Sequence, residues 1–392
     1  MTPAARVQAA IEILDLVITA ARNNGAPADR IVSDWFRTRR FAGSKDRRAV
    51  RDLVYRAIRV CGDIPQSGRA AMLRLAADDP ALITLFDGSV YGPAWVDPEE
   101  PVASGGFAPA WLEERLAASG VAGEEAAALL DRAPLDVRVN TLRADVVILP
   151  EGGEPIPNLD GYRFPYGTRI EDTDMFRWGA IEVQDAGSQL ACKAVAAPLH
   201  GSVIDLCAGA GGKSLALAAQ VGFTGKVIAC DTDRGRLSRL PQRADRASAD
   251  GIIETRLLNP GREMQALSDW QGRADAVLID APCSGTGTWR RNPEARWRLS
   301  EQWLAGVTAL QARLLDVAGE LVRPGGALVY VTCSLLDEEG ADQASAFLAR
   351  HKGWTAEPLA LGTGTPRGQG LRLSPFRDGT DGFFIARLLR IC

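Results

Sequence analysis

Apolar side chains recur at helical spacing in the first sixty residues of the chain. Within residues 5–22 one face of the predicted helix carries them: Val7, Ala10, Ile11, Ile13, Leu14, Val17 and Ile18. The same spacing over residues 46–60 predicts a second helix, with Ser44 as its candidate N-cap. We therefore predict a helical N-terminal domain over residues 1–95.

From about Val183 the pattern changes to short apolar runs, glycine turns and helices. Six runs are typical of strands: Val203–Cys207, Lys226–Cys230, Ile252–Leu258, Ala276–Asp280, Ala327–Cys333 and Phe383–Arg390. Their alternation with helices predicts an α/β domain over residues 183–392, with a doubly wound, largely parallel sheet. The last strand is predicted to be an antiparallel edge. Residues 96–182 are predicted to form a linker and a small α+β connecting domain.

Composition limits both the compartment and the chemistry. The chain is 46% apolar and 24% charged, which is ordinary for a globular protein, and no run approaches the length of a membrane span. Its seven cysteines are scattered without a C-x-x-C pair, and it has only two histidines, so we expect no metal site. We expect a reduced, cytoplasmic, monomeric protein. If it is an enzyme, carboxylates and thiols must carry the reaction.

Positive charge is concentrated at the N-terminus. Residues 1–63 carry a balance of +5, whereas the whole chain sums to −4. This asymmetry is typical of nucleic-acid contact, although a solvated helix face also collects arginines. The candidate RNA-binding residues of this region are Arg39, Arg40, Lys45 and Arg47.

A second basic segment, Thr288–Arg298, alternates arginine with tryptophan. Its candidate RNA-binding residues are Arg290, Arg291, Arg296 and Arg298. Arginines can pair with phosphates while aromatic rings stack on unpaired bases, which favours single-stranded RNA. The alternative is a surface helix whose tryptophans are buried.

A glycine-rich loop, Asp205–Ser214, joins the first predicted strand to a helix. Its glycines allow a sharp turn and close approach to a ligand. It matches neither a P-loop nor the dinucleotide pattern G-x-G-x-x-G, because Ser214 rather than glycine fills the last position. Asp231, nineteen residues after Gly212, is placed to bind ribose hydroxyls. The loop therefore predicts a nucleoside cofactor without a pyrophosphate, and the alternative is a tight turn with no ligand.

Two cysteines follow the fourth and fifth predicted strands of the sheet, Cys283 in Pro-Cys-Ser-Gly and Cys333 in Thr-Cys-Ser. If these strands are neighbours, their carboxyl ends lie about 5 Å apart, in the crevice where such sheets bind ligands. Asp280 would lie beside them.

This combination of residues suits attack by a thiolate on carbon 6 of a pyrimidine, which activates carbon 5 for a methyl group. A carboxyl group would stabilise the charge that develops on the ring. Lys213 is a candidate for lowering the pKa of the attacking thiol. The alternative is that both cysteines are simply small buried residues, the role that we expect for Cys192, Cys207 and Cys230.

At these motifs the chain resembles the RsmB / Nop–Sun family of S-adenosylmethionine-dependent RNA 5-methylcytosine methyltransferases. The resemblance covers nearly the whole length. It rests on Asp205–Ser214, on Asp-Ala-Pro-Cys-Ser-Gly at 280–285, on Thr-Cys-Ser at 332–334, on Gln184–Gln189 and on Asp381–Phe384.

The resemblance implies that Cys333 is the nucleophile, that Cys283 assists release of the methylated product, and that Asp280 supports the ring. It also implies S-adenosyl-L-methionine as the cofactor, with these contacts: Cys207, Ala208, Gly209, Ala210, Gly211, Gly212, Lys213, Asp231, Asn259 and Asp280. Asn259 stands where the family often has an aspartate for the adenine amine.

The N-terminal helices resemble a NusB-like RNA-binding domain, which within the family points to small-subunit ribosomal RNA. A transfer RNA cytosine-5 methyltransferase and a non-catalytic RNA-binding ribosome assembly factor remain alternatives. A nicotinamide-dependent dehydrogenase is disfavoured by the incomplete glycine pattern.

Overall fold

The computed structural model describes residues 1–143 and 147–391, which divide into two compact units. Unit 1 comprises residues 1–131 and 288–301, and unit 2 comprises residues 132–287 and those from 302 onward. This division differs from the three parts expected at 1–95, 96–182 and 183–392. Residues 96–131 cluster with the N-terminal helices, and residues 132–182 cluster with the large sheet.

Unit 1 is helical. Its helices are α1 (Pro3–Arg22), α2 (Ala28–Arg37), α3 (Ser44–Val60), α4 (Gly68–Asp78), α5 (Ala110–Ala118) and α6 (Glu124–Ala127). The apolar faces of α1 and α3 are buried as their spacing predicts, because each presents one stripe to a common core. Ser44 is not the N-cap: α3 begins at Ser44, and the capping position is Gly43, which has no side chain to supply a capping bond.

The segment 288–301 is part of the same helical unit. It contains a 3-10 helix, Pro293–Arg298, whose Trp297 is buried in the core formed with α1 and α3. Unit 1 is therefore assembled from two pieces of chain that are far apart in sequence.

Unit 2 begins with a small antiparallel sheet. Its strands are β1 (Leu135–Val139), β2 (Glu154–Pro155), β3 (Gly161–Phe164) and β4 (Ile181–Val183), in the order β2-β3-β1-β4. Helix α7 (Asp174–Arg177) lies between β3 and β4 in the chain, and α8 (Ala186–Val195) follows β4. Buried Asp136 on β1 pairs with Arg163 at 2.7 Å and accepts the first amide of α8 at 3.0 Å, which fixes the start of that helix.

The remainder of unit 2 is a nine-stranded sheet with helices. The elements are β5 (Ser202–Asp205), α9 (Gly212–Val221), β6 (Lys226–Asp231), α10 (Arg234–Leu237), α11 (Leu240–Arg246), β7 (Ile253–Leu257), α12 (Glu263–Leu267), β8 (Ala274–Asp280), α13 (Glu301–Leu321), β9 (Val322–Thr332), α14 (Ala341–Arg350), β10 (Trp354–Glu357), β11 (Thr365–Arg367), β12 (Gly370–Leu373), α15 (Pro375–Asp378) and β13 (Phe383–Arg390). The order is β11-β12-β13-β9-β8-β5-β6-β7, with β10 paired to β13.

This sheet is doubly wound, as predicted. Strands β5 to β9 run parallel, and successive strand residues alternate between two faces. Val203 lies in a core with α8, α9 and α11, whereas Ile204 lies in a core with α13 and α14. Helices therefore cover both faces, which is why the strands are apolar throughout.

One prediction about the sheet is wrong. Strand β13 is antiparallel, as expected, but it is not an edge, because β9 pairs with it on one side and β12 and β10 pair with it on the other. Strands β10 and β12 are short and of mixed polarity, so their sequences carry no clear strand signal. Within the described residues, no helix is long and apolar enough to span a membrane.

Candidate active site

The two predicted cysteines lie side by side. Strands β8 and β9 are paired neighbours, with Asp280 opposite Val331, so the loops after them share one edge of the sheet. The Sγ atoms of Cys283 and Cys333 are 3.3 Å apart, and both residues are partly exposed. The hydrogen bond with Cys333 and burial raise the pKa of Cys283 well above its ordinary value. The pair is thus accessible and directly coupled, unlike cysteines that only fill a core.

A lysine whose side chain is 12% exposed interacts electrostatically with the pair. Lys213 Nζ donates to Asp280 Oδ2 at 2.7 Å. Burial alone would lower the pKa of Lys213, but the charge of Asp280, followed by smaller effects of Cys192 and Cys333, raises it above its usual value. Lys213 therefore stays an ammonium group and lies within electrostatic range of Cys333.

The glycine-rich loop has the geometry that its sequence predicts. Gly209 and Gly211 have φ values of +57° and +85°, which favour glycine. A Cβ on Gly209 would collide with the Arg236 guanidinium, and one on Gly211 would collide with Leu240. By contrast, a Cβ on Gly212, the first residue of α9, would meet no atom within 4 Å. The loop thus leaves open space next to the start of the helix.

Asp231, the residue predicted to bind the ribose hydroxyls, ends β6 and faces the same loop. Its carboxylate accepts the backbone N–H of Gly209 at 2.7 Å and that of Asp233 at 2.7 Å. These bonds fix its orientation, and each carboxylate oxygen keeps acceptor capacity for a hydroxyl group. Asn259 lies just beyond the end of β7, the strand next to β6, and is exposed.

Hydrogen bonds from neighbouring side chains fix the rest of the glycine-rich loop. Ser214 Oγ donates to buried Asp205 Oδ2 at 2.7 Å, and burial raises the pKa of Asp205 to about 7. Arg243 donates to the carbonyl oxygen of Ala210 at 2.7 Å and to Glu182 at 3.0 Å. Ala208 lies between these supports and is buried.

The other predicted core cysteines differ among themselves. Cys192 and Cys230 are buried, and burial raises the pKa of Cys192 to about 12, as expected for inert thiols. Cys207 is partly exposed in the glycine loop, so burial does not describe it fully. Across residues 1–143 and 147–391, no three His, Cys, Asp or Glu side chains gather as a metal site.

The second basic segment is not an exposed RNA loop. Arg296 is 0% exposed, and its guanidinium donates to the carbonyl oxygens of Ile58 at 2.6 Å and Cys61 at 2.8 Å. These carbonyls lie at the end of α3, where a helix leaves its last acceptors unsatisfied and favours a cation. Trp297 packs in the same core. This corrects the prediction for Arg296.

The other arginines of the segment are also engaged. Arg290 is 7% exposed, which likewise corrects its prediction as a surface contact. Arg298 is partly buried and donates to the carbonyl oxygens of Gly25 at 2.9 Å and Ala26 at 2.8 Å. Arg291 is partly exposed, and its contact with RNA stays a prediction.

The first basic region lies on the surface of unit 1. Arg39 stacks on Trp35, with 4.0 Å from its guanidinium to the ring centroid, and Arg47 donates to the carbonyl of Ala42 at 2.9 Å. Arg40 and Lys45 are exposed, and Phe41 between them is 72% exposed. Within the described chain, neither Arg40 nor Lys45 has an ion-pair partner.

Sequence reasoning missed the polar residues behind the two thiols. They are Ser284, Thr286, Gln311, Ser334 and Glu339, all buried and joined by hydrogen bonds. The two serines belong to the cysteine motifs and could have been noticed. Glu339 looks in the sequence like an ordinary acidic residue near the start of a helix, so no local signal separates it from Glu338.

A family described as 16S rRNA methyltransferase RsmB/F matches residues 194–389. The ribosomal RNA small subunit methyltransferase B of Xylella fastidiosa (strain Temecula1 / ATCC 700964) is 35% identical over 305 residues, covering 74% of this chain and 69% of that protein.

Two solved structures share the fold. PH0851 superposes with a TM-score of 0.75 and 24% identity over 99% of each chain. A methyltransferase homolog protein from Pyrococcus horikoshii superposes with a TM-score of 0.59 and 25% identity, covering 72% of this chain and 99% of that one.

Proposed function

The chain belongs to the RsmB/F family of 16S rRNA methyltransferases, and on that premise we propose that it methylates carbon 5 of a cytosine in small-subunit ribosomal RNA. Family membership gives RNA methylation with S-adenosyl-L-methionine as the donor. The cytosine target and the covalent route are our proposal. The observation that carries it is the pair of adjacent sulfurs of Cys283 and Cys333, 3.3 Å apart, beside the Lys213–Asp280 ion pair.

The proposed cofactor residues line the carboxyl edge of the sheet. The Cys207–Lys213 loop, Asp231, Asn259 and Asp280 follow the neighbouring strands β5, β6, β7 and β8. S-adenosyl-L-methionine supplies an electrophilic methyl group when bound. The backbone of the loop at Gly212 would lie close to the cofactor. Asp231 would accept hydrogen bonds from the ribose hydroxyls of the cofactor.

In the proposed reaction, the Cys333 thiolate adds to carbon 6 of cytosine, and the electrons of the 5,6 double bond move toward carbon 5. Asp280 stabilises the charge that this addition places on the ring. Carbon 5 would then take the methyl group of S-adenosyl-L-methionine; the sulfur would keep the electrons of the broken S–CH3 bond, and S-adenosylhomocysteine would leave. A base removes the proton from carbon 5, the double bond re-forms, and the bond from carbon 6 to Cys333 breaks to return the thiolate. Cys283 assists this elimination.

The Arg39–Arg47 region supports the proposal that unit 1 binds RNA. Exposed Arg40 and Lys45 can pair with phosphates, and the exposed ring of Phe41 offers a stacking surface for an unpaired base. Arg39 and Arg47 contact neighbouring groups of their own unit, so Arg40 and Lys45 are expected to contribute most of the attraction.

The two thiols can be separated by their covalent products. In the presence of S-adenosyl-L-methionine and 16S rRNA, Cys283→Ser should accumulate a protein–RNA adduct that survives a denaturing gel, because elimination is impaired. Cys333→Ser should form no adduct and should methylate only at background. Cys61→Ser, at a buried cysteine in unit 1, is the matched control and should behave as the wild type.

Each other result has a defined meaning. Equal adduct levels in the two variants would overturn the assigned roles. An adduct with tRNA and none with 16S rRNA would mean that the substrate is tRNA and not 16S rRNA. No methyl transfer, together with no calorimetric binding of S-adenosyl-L-methionine, would favour a non-catalytic assembly factor.

A further inference from the structure

A buried carboxylate lies directly behind the two cysteines. The side chain of Glu339 is inaccessible to solvent, and in the described part of the chain it has no ion-pair partner. Burying a charge is costly unless hydrogen bonds compensate it. Four donors converge on its two oxygens and supply that compensation.

The first pair of donors fixes the Cys283 loop. Glu339 Oε1 accepts the backbone N–H of Ser284 at 2.8 Å and the side-chain amide of Gln311 at 3.1 Å. The same amide of Gln311 donates to the carbonyl oxygen of Pro282 at 2.8 Å. Both neighbours of Cys283 are therefore held by one hydrogen-bonded unit.

The second pair of donors joins that loop to the Cys333 loop. Glu339 Oε2 accepts Ser334 Oγ at 2.6 Å and also Ser284 Oγ. The two serine hydroxyls are 3.1 Å from each other. Since Ser284 follows Cys283 and Ser334 follows Cys333, one carboxylate connects the residues next to both sulfurs.

The rest of the surroundings is rigid as well. Tyr330 on β9 donates to the main-chain carbonyl of Glu339 at 2.6 Å. Gly287 N–H donates to the carbonyl of Cys333 at 3.0 Å, and Leu335 N–H donates to Thr286 Oγ1 at 2.9 Å. The main chain of Glu339 is thus anchored to β9, the strand that leads into Cys333, and further hydrogen bonds join the two cysteine loops.

We propose that Glu339 is a positioning residue that holds the sulfurs of Cys283 and Cys333 in register for attack and elimination. It touches neither substrate nor cofactor, and it acts through Ser284, Ser334 and Gln311. Its role in catalysis rests on the proposed function, whereas its role in setting the geometry of the thiols does not.

The charge of Glu339 has a further effect on the pair. The hydrogen bond with Cys333 and burial are the main reasons that the pKa of Cys283 is raised, and the negative charge of Glu339 raises it further. This charge therefore favours the thiol form of Cys283.

The test compares Glu339→Ala and Glu339→Gln with Glu338→Gln, a matched control on the preceding, partly exposed residue. The first readout is methyl transfer. Glu339→Ala should lower kcat by about 100-fold, because small misplacements of reacting groups cost about that much, while KM for RNA and Kd for S-adenosyl-L-methionine stay unchanged. Glu339→Gln should recover most of the rate, since an amide can accept from Ser284 N–H and Gln311 and donate to the two serine hydroxyls.

The second readout requires no RNA. Diamide, a thiol oxidant, should link Cys283 to Cys333 rapidly in the wild type and in Glu338→Gln, as mapped by peptide mass spectrometry. Two sulfurs must meet within a narrow geometry to bond, so linking should slow by about tenfold in Glu339→Ala and much less in Glu339→Gln.

The outcomes separate the two proposals. If Glu339→Ala links its thiols and methylates RNA as fast as the wild type, the positioning role is wrong. If the wild type methylates no cytosine but linking still slows in Glu339→Ala, the proposed function fails and the positioning role stands. Should Glu339→Ala not fold, Ser334→Ala removes one connection alone and should slow linking in the same direction. Normal linking in that variant would overturn the proposal.

Discussion

Arg296 in unit 1 and Glu339 in unit 2 are both charged side chains that are completely buried. Each is compensated by several hydrogen bonds rather than by an opposite charge at contact distance. They differ in their partners. Arg296 donates to main-chain carbonyls that end α3, whereas Glu339 accepts from residues next to the two adjacent thiols. Burial of a charge thus indicates a constrained site, and the partners decide whether the constraint serves folding or catalysis.

The largest expected effect on stability is the loss of Arg296. Arg296→Met keeps most of the buried volume but removes the charged donors, so the carbonyls of Ile58 and Cys61 lose the hydrogen bonds that the guanidinium supplies. Each buried acceptor that loses its donor costs about 1–3 kcal/mol, so the free energy of unfolding should fall by several kcal/mol. Hydrogen exchange of peptides from α3 should report this loss.

Arg37→Met is the control for Arg296. Its side chain is 76% exposed and pairs with Asp34, and exposed pairs contribute about 1 kcal/mol or less. Unchanged protection of α3 in Arg296→Met would mean that the buried charge of Arg296 does not stabilise unit 1. The contrast drawn with Glu339 would then be wrong.

A buried carboxylate without enough donors should behave differently from Glu339. Asp205 accepts from Ser214 but has one buried oxygen without a hydrogen-bond partner in the described residues, and burial raises its pKa to about 7 from 3.8. Because the pKa is higher in the folded state, its stabilising contribution is complete below the unfolded value and is lost as pH rises toward 7.

The corresponding variant is Asp205→Asn, which cannot ionise. Between pH 4 and pH 7 the wild type should lose on the order of 3 kcal/mol of unfolding free energy that Asp205→Asn retains. Hydrogen exchange of β5 peptides at several pH values measures this difference, and exposed Asp250→Asn is the control. Parallel pH profiles for wild type and Asp205→Asn would contradict it.

The smallest effect on stability is expected for exposed charge. The double variant Arg40→Ser with Lys45→Ser should unfold like the wild type, because surface substitutions usually change stability by less than about 0.5 kcal/mol. It should instead weaken RNA binding and reduce the slope of log affinity against log salt by about 1.4, since each phosphate contact to single strands contributes about 0.7. Filter binding over a salt series measures both quantities.

A matched double variant at Arg169 and Arg177 removes two exposed charges from unit 2. An equal loss of RNA affinity in this control would show that only net charge matters, and the Arg40 and Lys45 contacts would have no specific role.

The parts of the site that sequence predicts are those with a local pattern. Two apolar runs define strands β8 and β9. One leads into Asp280 and Cys283, and the other leads into Cys333. Because the two strands are parallel neighbours, their carboxyl ends lie together. The glycine-rich loop is equally local, because the turn itself requires the positive φ values that Gly209 and Gly211 adopt.

The parts that sequence does not predict depend on distant partners. Arg296 lies between tryptophans and resembles a nucleic-acid contact, yet its acceptors lie near residues 58–61, more than 230 positions earlier. Glu339 differs from Glu338 only in which side of a short turn it occupies. The interior position of β13 likewise depends on β10 and β12, whose sequences carry no strong strand pattern.

The discontinuous composition of unit 1 has a consequence during protein synthesis. Residues 1–131 leave the ribosome first, but Arg296 and Trp297 emerge only after the intervening chain of unit 2 has been made. At about 5–20 residues per second, this delay is on the order of ten to thirty seconds. Throughout that interval the nascent helices expose the gap that Trp297 later fills, which makes them a substrate for chaperones until translation passes residue 301.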